Sequence, residues 1–287
     1  MTAGPTVGQR DDRLLAPTKW TAVCIVPVLV AAFVILYGFP DRTKQLWAWT
    51  MKPTMTAMVM GAGYLAGAYF FTRVATTRQW HRIGAGILAV TPFTGILLIG
   101  TIVHWDKFNH RHVSFFAWLV LYAVTPFLLP WLWVRNRRHD PGSRPPGDVR
   151  VPKGVRAAMV VVGVVQLWTA GWLFFAPGVM ADKWPWHLTT LTSRSLSAFL
   201  VFPAVTWVWF AVDDRWSTFE IPLQTATLGL LLIAGAAVRA WDEFKGPRSS
   251  VDGFVVALAA VIALLVGVQL AMGVRARAAG TAPAASH

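Results

Sequence analysis

Cysteine and charge are what this 287-residue chain has least of: one cysteine, Cys24, and 14% charged residues. A single thiol excludes an internal disulfide, a thiolate metal cluster and dithiol redox chemistry. Cys24 falls inside the first apolar run, where a buried small hydrophobe is expected. Ordinary soluble domains carry about 25% charged residues, so the shortage excludes an ordinary globular enzyme and a disordered chain alike. Acid is the scarcer sign, with 13 Asp and Glu against 26 Lys and Arg and a net charge of +13. No pattern of stacking aromatics accompanies the basic residues, so nucleic acid is not the expected partner. Membrane lipids are, through basic loops facing an anionic surface. No P-loop, dinucleotide fingerprint, HExxH, GxSxG or CxxC occurs. No nucleotide, haem or iron–sulfur cofactor is expected, and the chain is not assigned to an enzyme class.

What the chain does have is apolar length. Hydrophobic residues make up 55% of it, and mean hydropathy is +0.51. Eight runs approach the roughly 20 residues that a membrane crossing needs: Trp20–Tyr37, Thr54–Thr72, Ile83–Val103, Val113–Val134, Arg156–Phe175, Ser195–Val212, Ile221–Val238 and Phe254–Met272. They lack the alternation of barrel strands, and helices satisfy their own backbone in lipid, so an all-α polytopic membrane protein is predicted. Pro27, Pro92, Pro126, Pro130 and Pro203 should kink these helices rather than end them. The first run is too long for a signal peptide and no cleavage pattern follows it, so it should be retained.

Sixteen of the 26 Lys and Arg fall on one side of the eight crossings, seven of them between Arg135 and Arg156. The positive-inside rule makes that side cytoplasmic and places both termini there. The expected layout is a cytoplasmic segment 1–19, four helices in 20–135, a basic Pro/Gly-rich cytoplasmic linker 136–155, four helices in 156–272 and a disordered tail 273–287. The Ala, Val, Arg and Gly bias has the style of GC-rich bacteria, so a bacterial inner membrane is expected.

The halves share a text. A shift of 137 lays Pro40, Trp47 and Trp49 over Pro177, Trp184 and Trp186; a shift of 136 lays Trp105-Asp106-Lys-Phe108 over Trp241-Asp242-Glu-Phe244. This predicts two parallel four-helix repeats related by an axis along the membrane normal. All the matched residues lie in the outer loops, and the cytoplasmic loops share no comparable motif. Anchoring or packing is the commoner role of interfacial tryptophan. Asp106 and Asp242 nevertheless form a candidate binding site, with Trp105, Trp241, Trp49 and Trp186 as walls and Arg194 and Lys52 as partners. His104, Asp106, His110 and His112 are ligand types that zinc or copper accept, although their spacing matches no metal fingerprint.

The eight apolar cores hold no Asp, Glu, Lys, Arg or His. That counts against proton relays and voltage sensing, which need ionisable groups at depth. It also counts against a haem held between membrane histidines, because His104 and His187 sit at run ends. The leading expectation is a transporter-like protein handling a small molecule or lipid near the outer face. The alternatives are a membrane-embedded enzyme at that interface, and a structural or assembly subunit of a membrane complex or homo-oligomer.

Overall fold

A computed structural model describes residues 10–281. Every apolar run is a helix: α1 (Ala16–Phe33, continued by one π turn over Val34–Gly38), α2 (Thr54–Thr76), α3 (His81–Val103), α4 (Val113–Arg137), α5 (Lys153–Phe175), α6 (Thr190–Trp209), α7 (Trp216–Arg239) and α8 (Arg248–Thr281). Seven of them are long and apolar enough to cross a membrane, which fits a multi-pass membrane protein. The exception is α2, which has 23 residues but is diluted by glycine, threonine and tyrosine. Fourteen of those residues are buried, so α2 needs no apolar outer face. Its small residues admit a neighbour closely: a Cβ on Gly61 would stand 3.0 Å from the Cβ and backbone nitrogen of Tyr37.

Pro27, Pro92, Pro126, Pro130 and Pro203 lie within continuous helices, as expected where side chains and neighbouring helices satisfy the freed carbonyls. Cys24 is exposed on α1, which corrects the expectation of burial. The inward face of that helix is Thr18, Ala22, Ile25, Leu29 and Ala32, and Cys24 lies off this stripe. Beyond Gly273 the chain stays helical to Thr281, because alanine and arginine are strong helix formers. The remainder of the expected tail, 282–287, and residues 1–9 of the leading segment lie outside the described residues.

Helices pack as α1 on α2, α3 on α4, α5 on α6 and α7 on α8. Between the first four and the last four, α3 lies against α6 and α2 against α7, with α3 also touching α7. Helices α2, α3, α6 and α7 therefore form the centre. The candidate span in α6 is 61% buried and that in α8 only 11%.

The loops form two faces. One carries the tryptophan motifs. There Trp105–Lys107 and Trp241–Glu243 are each one 3-10 turn, closed by matched bonds from the amide of Phe108 to Trp105 O and of Phe244 to Trp241 O, both 3.2 Å. The amide of Asn109 donates to Ala48 O at 2.7 Å, and that of Gly246 to Pro185 O at 3.0 Å, so each WDxF turn is laced to the middle of a W-x-W segment. Gly246 has to be glycine, since a Cβ would stand 2.1 Å from Trp184 O.

The other face carries most of the arginine. Its loops carry no comparable sequence motif but share a backbone pattern. Arg13 bridges Gln79 and Arg150 bridges Arg215 in the same antiparallel manner. Leu14 N donates to Arg78 O and Val151 N to Asp214 O, each at 2.9 Å. The match is mostly in the backbone, with side-chain traces in Trp80 and Trp216, 136 apart, and in Asp12 and Asp148, which accept from the amides of His81 and Ser217 at 3.0 and 3.1 Å.

Candidate functional site

On the motif face the tryptophans serve packing. Trp49 rests on Phe108 (5.0 Å between ring centres) and Trp118 (4.8 Å), and Trp186 on Phe244 (5.5 Å) and Phe254 (5.4 Å). Trp186 donates its indole N–H to Thr56 Oγ1 at 2.9 Å, and Trp118 donates to Thr101 Oγ1 at 2.8 Å. Trp105 and Trp241 stay exposed.

The two aspartates are not joined to their expected partners. Asp106 is exposed and paired with Lys107 at 2.6 Å, a hydrogen bond that holds its carboxyl below the usual range. Asp242 and Lys52 are exposed. Arg194 turns elsewhere, donating to Phe174 O at 3.1 Å and to His104 Nε2 at 2.7 Å. Burial, followed by the Arg194 charge, lowers the pKa of His104, so its imidazole is neutral and accepts. His110 stacks on Trp105, while His112 caps α4 through Ser114. No group of three or more His, Cys, Asp or Glu that could hold a metal ion occurs among the described residues.

Sequence reasoning passed over Glu243. Its carboxylate accepts from Thr54 N and Oγ1, both 2.9 Å, and from Met55 N at 2.7 Å. It thus satisfies orphan amides at the start of α2 from 189 residues away, where the helix dipole favours a negative charge. Its counterpart at the 136 shift is Lys107, so no textual match marked it.

The feature best shaped to hold a ligand lies deeper. A cavity of about 480 Å³ runs between the central helices and is overwhelmingly apolar, with walls from all eight helices. Its exposed lining residues are Val161 and Val165 on α5 and Ala257 on α8, which place its mouth between those two helices. The wall there is fastened at both ends. At one end Phe254 packs on Trp186 and on Phe244; at the other Leu265, Val268 and Met272 join Met159, Trp207 and Phe219 in a buried cluster.

Hydroxyls of Tyr64, Tyr122 and several threonines interrupt the lining, and three further polar groups there have no partner. Gln166 Oε1, Trp184 Nε1 and Trp207 Nε1 are buried without a hydrogen-bond partner among the described residues. Such orphans are rare in folded proteins and call for an explanation. An acceptor and two donors in an apolar wall suit an apolar molecule with a polar group, since ligand pockets combine apolar walls with a few placed polar atoms.

On the basic face, Asp12 accepts from the amide of His81 at 3.0 Å and contacts its ring Nδ1. His81 Nε2 meets Ser217 Oγ at 2.9 Å, and that hydroxyl donates to Asp148 Oδ2 at 2.7 Å. The chain Asp12–His81–Ser217–Asp148 has the order of a nucleophilic triad, but the serine proton is committed to Asp148 and neither described cavity reaches it. It is a clasp joining the starts of α3 and α7. Beside it, Arg215 bonds Asp213 and Asp140 with its side chain only 9% exposed. Burial raises the pKa of Asp140, but the hydrogen bonds from Arg215 and the Gly142 amide outweigh this and hold it low. No family model matches the chain, and no curated protein or solved structure matches it.

Proposed function

We propose an integral membrane protein of eight crossings, with both chain ends on the cytoplasmic side of a bacterial inner membrane, that binds and handles a lipid-like molecule in the cavity between its halves. The observation that carries this reading is the apolar cavity itself, with its lateral mouth between α5 and α8 and the unpartnered Gln166, Trp184 and Trp207 inside. Its volume lies within the range of roughly 300–1,000 Å³ common for ligand pockets.

Parallel duplication of a four-helix unit supports an enclosed site at the shared interface. In favour of the duplication is the exchange of partners, α3 with α6 and α2 with α7, a pattern that a two-fold axis produces. The matched loops on both faces support it too. The eighth crossing is α2, whose burial frees it from the hydropathy that lipid contact demands.

The binding test is organic extraction and mass spectrometry of the purified protein. One apolar species with a hydroxyl, carbonyl or ester group should be retained, and Ala257→Trp at the mouth should reduce it severalfold without altering thermal stability. Retention unchanged by Ala257→Trp and by Gln166→Leu overturns the reading. For the topology, single cysteines at Asn109 and Ser143 in a Cys24→Ala background should label from opposite sides of the membrane.

A further inference from the structure

At the basic end a second, larger cleft of about 1,030 Å³ opens between the ends of α4 and α6 and the loops beside them. We propose that it binds the phosphate of an anionic phospholipid, with the lipid backbone lying on Trp133 and Trp209.

The charges select an anion. Five arginines border the cleft with three aspartates. Arg215 is answered by Asp213 and Asp140, and Arg144 by Asp214 at 3.2 Å. Among the described residues, Arg10, Arg137 and Arg138 have no carboxylate partner. Arg10 donates to the carbonyl of Asp140 at 3.1 Å, and Arg137 lies 4.6 Å above the Trp133 ring. Arg138 is exposed and has no hydrogen bond or ion pair among the described residues. Guanidinium edges match phosphate oxygens, and a ring-stacked Arg137 keeps its edge available.

The floor selects an amphiphile. Trp133 and Trp209 meet edge to face at 6.3 Å, flanked by Val134 and Val212, which are 49% and 72% exposed. A soluble phosphate would have no use for this apolar sill. It lies where α4 leaves its apolar stretch at Arg135, the level at which a bilayer presents phosphates above acyl chains. The cleft is separate from the cavity, one helical turn beyond Leu129 on α4, and the proposal rests on the membrane reading alone.

Native mass spectrometry of the detergent-purified protein, titrated with phosphatidylglycerol or phosphatidylcholine, tests it. Phosphatidylglycerol should bind severalfold better. Arg137→Gln with Arg138→Gln should weaken it about tenfold, as loss of charge-assisted hydrogen bonds does. Arg138→Gln alone, at an exposed side chain without a partner, serves should the double variant fail to fold, and should still weaken binding. Arg111→Gln on the motif face and Ala257→Trp at the cavity mouth should leave it unchanged, so failure of this site is distinguishable from failure of the cavity. Equal binding of both lipids, or no loss in either arginine variant, overturns the proposal. Displacement of the lipid by millimolar inorganic phosphate assigns the cleft to a soluble anion and overturns it as well.

Discussion

The cavity takes walls from all eight helices, but the side chains that the first four and the last four bring to it differ at matched positions. In the first four, the hydroxyls of Tyr64 and Tyr122 meet at 2.9 Å in full burial, and Tyr122 packs on Trp118 at 4.4 Å. One shift of 136 residues further stand Leu200 and Leu258, and all four residues line the cavity. The far end of α4 is fastened too: Asn136 accepts from Leu15 N at 3.0 Å and donates to Thr18 Oγ1 at 2.7 Å. The matching residue on α8 is Met272, held only by apolar contact. Similar helix arrangements thus diverge through side-chain volume and polar ties. Close packing turns a lost ring into space.

This contrast can be broken at several strengths. The largest effect is expected at Arg215. Arg215→Ala strands two carboxylates, one of them buried, and should cost about 3–5 kcal/mol, whereas Gln79→Ala at the matched, exposed position of the first half should stay within about 0.5 kcal/mol. Thermal unfolding in detergent separates the two. Next, Tyr122→Leu gives position 122 the side chain of its counterpart, Leu258. It leaves Tyr64 unpaired and a void beside Trp118, and should cost about 2–4 kcal/mol. The reciprocal Leu258→Tyr should keep stability but lower the retained lipid; unchanged retention would detach the cavity from function.

A smaller effect should be the same in both halves. Thr101→Val and Thr56→Val each orphan one buried indole N–H, of Trp118 and Trp186, and should each cost about 1–2 kcal/mol. A large inequality would mean that the two indole hydrogen bonds carry different weight.

The smallest effect is one of pH. His104 titrates below its usual value of about 6.5 because of burial and then the Arg194 charge. The unfolded chain therefore binds this proton more readily. The stability it contributes is complete above about pH 6.5 and is lost as pH falls through the lowered folded value. His104→Gln should flatten that part of the Tm–pH profile, while Ala240→Ser at the matched position should leave it intact.

Much of the frame was legible in the chain, for a physical reason. Hydrogen-bond satisfaction in an apolar medium imposes long uninterrupted helices, so seven of the eight runs carry their own boundaries to within about five residues. The last, Phe254–Met272, falls well short of Arg248–Thr281 at both ends. The W-x-W and WDxF segments were legible because aromatic identity repeats in the text. Glu243 and Arg215 were not, since their partners lie 189 and 75 residues away and their counterparts, Lys107 and Gln79, differ in charge. The loop bridges on the basic face were hidden because backbone bonds leave no side-chain signature. Cys24 was misplaced because a membrane helix is apolar on both its inner and its outer face, so hydropathy does not tell them apart.

By itself, then, the sequence determined which stretches are helical, where aromatic loops cap them and which way the charge is distributed. These depend on composition within some 20 residues. Only the tertiary structure decided that the aspartates stay apart, that the histidines take separate partners, and that Gln166, Trp184 and Trp207 border one cavity. Those outcomes depend on which side chains from distant helices meet, and on the volume they leave between them.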